Sequence, residues 1–233
     1  MKYNFNLFIY LFFVHTIYTN CPLELIRSFL PPNPIIVEAG AHFGEDTQIF
    51  ASKWPSGLIY AFEPFPDSYQ KLRKKVRLYS NVVTYQMALS NQTGSALFFY
   101  SLKHPGCSSL ISPTSRKAKS IPFEKNPIIV STITLDDLAQ LCGIDHIDFV
   151  WLDVEGFELP ILQASKTIFK TVKVIFLEVN YIALHEKMPL ADEVVDWLKS
   201  QGFIEILRLD FAWGWLKNGQ PGQSNVLMVR GNF

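Results

Sequence analysis

The chain predicts an α/β fold: a mostly parallel sheet with helices on both faces. Three observations predict it. Ile35 to Thr47, IIVEAGAHFGEDT, is a β-branched and apolar run that breaks into a glycine-rich turn and then into helix-start chemistry. Tyr60 to Pro66, YAFEPFP, is a second apolar run that ends on a single acid, Glu63. From residue 35 onward, runs of strand length alternate with helical patterns, the signature of successive βα units. A strand, a glycine turn, a helix and an acid at the tip of the next strand together make a nucleotide or nucleoside pocket.

The first strand is Ile35–Ala39, and its helix runs from about Glu45 to Lys53. Gly40 and Gly44 bracket Ala41-His42-Phe43. At Gly40 the missing Cβ opens backbone angles closed to other residues and lets a ligand lie against the main chain. Glu45 and Asp46 after Gly44 suit the positive end of a helix dipole. The spacing Gly-x-x-x-Gly departs from the dinucleotide fingerprint Gly-x-Gly-x-x-Gly, because His42 stands where the middle glycine would admit a pyrophosphate. Acids at the helix start also repel phosphate. Both points favour a phosphate-free ligand such as S-adenosylmethionine over a dinucleotide.

The second strand is Leu58–Phe62. Glu63 follows Gly40 by 23 residues, near the ~20-residue offset at which an acid reaches a ribose diol. Pro64 and Pro66 end the strand and stiffen the turn that presents it. The next helix covers about Pro66–Leu78 and carries the basic cluster KLRKKVR as its solvated face. A third strand is expected over Val82–Met87. The pattern then changes. Ala96–Tyr100 and Pro127–Ile133 read as strands flanking a polar loop, so a β-rich insertion is expected at about 94–133. The second basic cluster, Arg116–Lys119, falls in that loop and reads as solvated. Thr134–Cys142 is a short helix with a Thr-Leu-Asp-Asp start.

The fourth strand, Ile147–Leu152, leads into WLDVEGFE and delivers Asp153 to the carboxyl edge of the sheet, where open α/β sheets bind ligands. Glu155 and Glu158 follow around Gly156, and Glu178, at the end of a fifth strand Val174–Val179, adds a fourth acid. Such a group can orient a donor's ammonium, act as a general base or hold a divalent cation. Helices at about Glu158–Phe169 and Leu190–Gln201, a strand at Phe203–Leu209 and a closing strand at Val226–Val229 complete the series.

Composition fits one enzyme-sized domain over residues 22–233. The chain has 233 residues, 48% hydrophobic, with zero formal net charge, so no field attracting nucleic acid is implied. Cys21, Cys107 and Cys142 form neither a metal spacing nor an even disulfide set, though Cys107 and Cys142 could pair in an exported protein. No histidine–cysteine zinc pattern occurs, and no metal ligands are assigned. Residues 1–21 stand apart. Lys2 precedes the apolar run Leu7–Tyr18, short of the ~20 residues of a membrane span and of the length of a signal-peptide core. It reads as an export signal or short signal anchor, with membrane association or export as the expectation and a cytoplasmic location as the alternative.

The motifs IIVEAGAHFGEDT, YAFEPFP, MALSNQTG, STITLDDL, IDFVWLDVEGFELPIL and IFLEVN, in this order, resemble the FkbM-type S-adenosylmethionine-dependent methyltransferases. The resemblance runs from about Ile35 to Val229. It implies the class I methyltransferase sheet, Rossmann-like and seven-stranded with an antiparallel last strand, and methyl transfer commonly to a hydroxyl oxygen of a sugar, lipid or small molecule. By the same resemblance, the turn from Glu38 through Gly40 and Ala41 to Gly44 would hold the methionine part of the donor, and Glu63 its ribose. Ala88-Leu89-Ser90 would lie beside the adenine. Asp153 and Glu155 would line the reaction centre, and His104–Leu110, HPGCSSL, resembles a serine-containing loop near the acceptor. Glu38 stands where the family's first motif usually has Asp. For the chemistry, Asp153 is the first candidate base, with Glu155, His104 and His185 behind it. Two rivals are a nicotinamide-dependent oxidoreductase, disfavoured by the missing glycine, and a non-catalytic protein keeping the fold, disfavoured by the intact acids.

Overall fold

The structure is a computed structural model that describes residues 22–210 and 221–231. The apolar run of residues 7–18, and Cys21, lie outside the described residues. No helix among the described residues is long and apolar enough to cross a membrane.

Helical residues 22–27 (α1) precede β1 (Ile35–Ala39), α2 (Glu45–Lys53), β2 (Leu58–Phe62), α3 (Pro66–Val76) and β3 (Val82–Tyr85). Next come β4 (Ala88–Leu89), β5 (Gly94–Phe98), α4 (Ser115–Ser120), β6 (Ile128–Ile133) and α5 (Leu135–Cys142). The chain continues through β7 (Phe149–Leu152), α6 (Glu158–Ala164), β8 (Val174–Asn180), α7 (Ala191–Ser200), β9 (Phe203–Asp210) and β10 (Gln223–Arg230). Seven strands form the main sheet in the order β3-β2-β1-β7-β8-β10-β9. β3, β2, β1, β7 and β8 are parallel; β10 runs antiparallel to both of its neighbours.

Strand alternation sorts the core. Val37, Tyr60, Phe62, Val150, Leu152, Ile175 and Leu177 point to one face and pack with α5, α6 and α7. Ile36, Ile59, Phe149, Trp151, Val174 and Phe176 point to the other, where Leu23 and Ile26 of α1 join Phe50, Ala51 and Trp54 of α2. Apolar side chains on both faces explain why these strands read as unbroken hydrophobic runs.

Four sequence expectations change. The third strand stops at Tyr85, and Ala88–Leu89 crosses to a separate three-stranded sheet, β4-β6-β5. The helix after β7 ends at Ala164, because the Asp136 carboxylate accepts the N–H groups of Lys166, Thr167 and Ile168 and holds a turn there. The last strand does not close the sheet: β10 slips between β8 and β9, and β9 is the edge. The burial pattern gives the reason. Val226 to Val229 are all buried, as an interior strand requires, whereas β9 leaves Ile204 and Ile206 exposed. Finally, Arg116–Lys119 lies on α4 instead of a loop, and Lys117 there is buried instead of solvated.

Candidate active site

Strand register builds the site. Ala39 aligns with Phe62 and with Leu152, and Leu152 with Leu177. Gly40, Glu63 and Asp153 therefore leave β1, β2 and β7 at one level, and Glu178 of β8 stands at that level too. Above this edge lies a cavity of about 260 Å³, lined among others by Gly40, Ala41, Glu63, Ala88, Leu89 and Asp153. Phe98, Ser108, Leu110 and Phe157 close it from the insertion and from the turn before α6.

Gly40 has a different reason from the one its sequence suggests. It sits at φ 83°, and a Cβ there would fall 1.8 Å from the Asp153 carbonyl oxygen. The space is taken by the end of β7, and the glycine is what lets Asp153 close on the turn. Gly44 is likewise a packing position, also at φ 83°, where a Cβ would meet Leu72 of α3 at 2.7 Å. Gly44 and Glu38 are not in the cavity wall. Glu38 shares its strand face with Ile36 and points at α2, where the Thr47 hydroxyl donates to it at 2.6 Å. Burial first, then Asp46, pushes its carboxyl well above the usual range. Its contribution to the site is to fix the helix start from below.

Glu63 accepts the backbone N–H of His42 on one oxygen at 2.9 Å and that of Phe65 on the other at 2.8 Å. His42 reaches it because its own backbone is left-handed, φ 48°. Each Glu63 oxygen keeps a lone pair for a ligand hydroxyl. Burial raises this carboxyl to about 7, against the pull of those two amides. The His42 ring also lines the cavity, and burial holds it below its ordinary value.

At the second centre, Asp153, Glu155 and Glu178 bring carboxylate oxygens within 4.8 Å of one another. Burial of the wall pushes Asp153 up to about 8, with Glu155, Glu158 and Asp46 adding to the rise and Lys117 opposing it. The Asp153 side chain opens on the cavity, so water there limits desolvation and the acid neighbours carry the direction. Glu178 is raised well above its usual range by burial, then by Asp153 and Glu155. Glu158 accepts the N–H groups of Val154 at 3.0 Å and Gly156 at 3.2 Å, so it shapes the turn. Glu155, left-handed at φ 56°, turns away from the cavity toward Lys117 and His185. Burial alone would raise it; the Lys117 ammonium on its carboxylate outweighs that and holds it low. These acids have the chemistry to ligate a cation, but Glu155 already faces the Lys117 ammonium.

His104 is exposed and stands outside the cavity wall, at the start of the 3-10 turn Pro105–Cys107. Cys107 and Cys142 are both free thiols. The serine loop does reach the site: Ser108 lines the cavity, and the Ser109 hydroxyl donates to the Glu155 carbonyl at 3.0 Å. Sequence reasoning passed over Lys117, and over His42 and Phe157 as wall residues. No sequence signal marked Lys117, since it sits in a basic cluster of the kind that is usually solvated.

Comparison with known proteins places this geometry. The chain is 26% identical over 190 residues to the 2-O-methyltransferase NoeI of Sinorhizobium fredii, covering 76% of each. It is 30% identical over 158 residues to methyltransferase sdnD of Sordaria araneosa, covering 58% of this chain and 61% of that one. It is 23% identical over 159 residues to the hexuronic acid methyltransferase AglP of Haloferax volcanii, covering 68% of this chain and 61% of the relative. In fold it is similar to the Methanococcus jannaschii fibrillarin pre-rRNA processing protein, with TM-score 0.51, 11% identity, and 87% of this chain and 68% of the other covered. The Methyltransferase FkbM domain matches residues 38–205, and the chain belongs to this family of S-adenosylmethionine-dependent methyltransferases.

Proposed function

We propose that the enzyme methylates a hydroxyl oxygen on a neutral acceptor, a sugar or another small alcohol, with Asp153 as general base. The observation that carries this reading is the charge of the cavity wall. Among the described residues, Glu45, Asp46, Glu63 and Asp153 line it, with no lysine or arginine. An acid-rich wall suits a sulfonium donor, whose positive charge favours the ionised form of these carboxyls, and offers no partner to an acceptor carboxylate or phosphate. The relative named as a 2-O-methyltransferase supports transfer to oxygen, and the one named as a hexuronic acid methyltransferase supports a sugar-like ring, although the acid in that name is what this wall disfavours.

When bound, S-adenosylmethionine supplies an electrophilic methyl group on a positively charged sulfur. The residues present fit it: Glu63 has lone pairs for a ribose diol, and Ala88 and Leu89 offer an apolar wall for a base. Positioning does most of the work in such a transfer. Asp153 accepts the hydroxyl proton on its carboxylate as the oxygen becomes a nucleophile, and its raised affinity for protons matches that task near neutral pH. Phe157 and Leu110 add apolar surface to the cavity wall. Residues 7–18 make the protein an exported or membrane-anchored enzyme in this reading, on their apolar sequence alone.

Asp153→Asn preserves shape and removes the base. Labelled-methyl transfer, screened over neutral sugars and small alcohols, should fall at least ~100-fold in the variant while donor binding persists. Full turnover in Asp153→Asn would remove the residue from the mechanism.

A further inference from the structure

α4 inverts the hydrophobic pattern. Lys117 is its buried residue, 5% exposed, while Ala118 beside it faces solvent. An apolar side chain at position 117 would avoid the cost of burying an ammonium, so packing alone gives no reason for a lysine there. Its ammonium donates to the Glu155 carboxylate at 2.6 Å and faces His185 Nε2 at 2.6 Å. His185 is wholly buried, and its Nδ1 lies 2.8 Å from the Ile111 carbonyl oxygen. A carbonyl can only accept, so Nδ1 carries the proton and the imidazole offers Nε2 as a lone pair to the ammonium. A second cation on the ring would stand head to head with Lys117 in a dry place. The Phe123 ring lies 6.0 Å from the ammonium.

The surrounding backbone fixes this seat. Thr114 caps α4, and its N–H and hydroxyl both donate to the Leu184 carbonyl. The Glu186 N–H donates to the Ser112 carbonyl. The insertion is thereby stitched to the loop after β8, and its lysine is carried to the back of the acid group that opens on the cavity.

We propose that Lys117 is a positioning residue for methyl transfer: seated on neutral His185, its ammonium holds the Glu155 turn and sets the field in which Asp153 works. The proposal rests on Asp153 being the base. The groups facing Asp153 are Glu155, Glu158, Glu178, Asp46, Lys117 and Cys107. Among the described residues, Lys117 is the cation in this group. Without it, Asp153 would hold its proton to higher pH; without the Glu155 charge, Asp153 would release its proton at lower pH. A lysine acting only as a clamp between two loops has no reason to move Asp153 in one direction and its partner's loss in the other.

The test needs no acceptor. The protein is prepared with ¹³C-labelled aspartate carboxyls and saturated with S-adenosylhomocysteine, and the resonance missing in Asp153→Asn is followed with pH. In Lys117→Met its midpoint should rise by about one pH unit or more, the effect of removing a nearby opposite charge. In Glu155→Gln it should fall. Lys117→Arg should return it toward the parent value. If Lys117→Met does not fold, as judged by its far-ultraviolet circular dichroism, the fall in Glu155→Gln and the parent midpoint in Lys117→Arg carry the same decision. Midpoints that stay within ~0.3 pH units of the parent, or move with the opposite sign, overturn the proposal. Failure of the base assignment is separate and shows as full turnover in Asp153→Asn.

Discussion

At the scale of single residues, the site is held by close approaches that leave no slack. Gly40 is the sharpest case. A methyl group there collides with the Asp153 carbonyl oxygen, and φ 83° is strained for any side chain. Gly40→Ala must push β7 away from the turn, because the obstacle is backbone that no rotamer change can clear. The variant should lose at least ~3 kcal/mol in denaturant melts, combining overpacking and left-handed strain. A loss under ~1 kcal/mol would show that the β1 turn and the end of β7 separate easily. Glu63 and Asp153 were legible in the sequence because each is the first residue after a strand, and register then does the rest. Lys117 and His185 were not legible as a pair. They lie 68 residues apart, meet only through two loops, and carry no periodic signal.

At the scale of elements, helix and strand identity followed from the apolar pattern, while order across the sheet did not. Continuous NVLMV against alternating FIEILRLD holds the signal that β10 is interior and β9 the edge, since two-sided burial demands an unbroken run. The insertion was visible as a break in the βα rhythm. Its helix was not, because α4 is six residues long and has one buried position. α1 went unread because its apolar residues follow directly on the longer run before it. Leu23 and Ile26 of α1 are fully buried against Phe50 and Trp54. A chain that begins at Pro22 should therefore fold with a melting curve like that of the whole protein. One that begins at Pro31 should be destabilised by ~3–6 kcal/mol, the burial of two large aliphatic side chains. Equal stability of the two, measured by urea unfolding, would mean that α1 is dispensable.

At the scale of the whole molecule, the carboxyl edge of the sheet concentrates acids whose affinity for protons rises on folding. Glu38, Glu63, Glu158 and Glu178 all move up, chiefly by burial, Glu63 and Glu158 to about 7. The folded state therefore binds more protons than the unfolded chain between pH ~4.5 and ~7, and stability falls as pH rises through that window. Glu63 alone corresponds to ~3 kcal/mol across it. His42, held below its ordinary value, works in the opposite sense, but it is one group against these four and Asp153. Groups held low, such as Glu155 and Glu205, lose their contribution only at more acid pH. Calorimetric melts of the ligand-free protein should show a melting temperature that drops from pH 5 to pH 8; a rising one would mean that these acids are solvated. The same acid-rich edge is the proposed seat of a sulfonium donor oriented by Glu63. The most direct measurement is titration calorimetry of S-adenosylmethionine into the protein and into Glu63→Ala. One donor should bind per chain, weakened at least ~10-fold in the variant by loss of charge-assisted hydrogen bonds, with folding retained. Donor affinity unchanged in Glu63→Ala would contradict this seat.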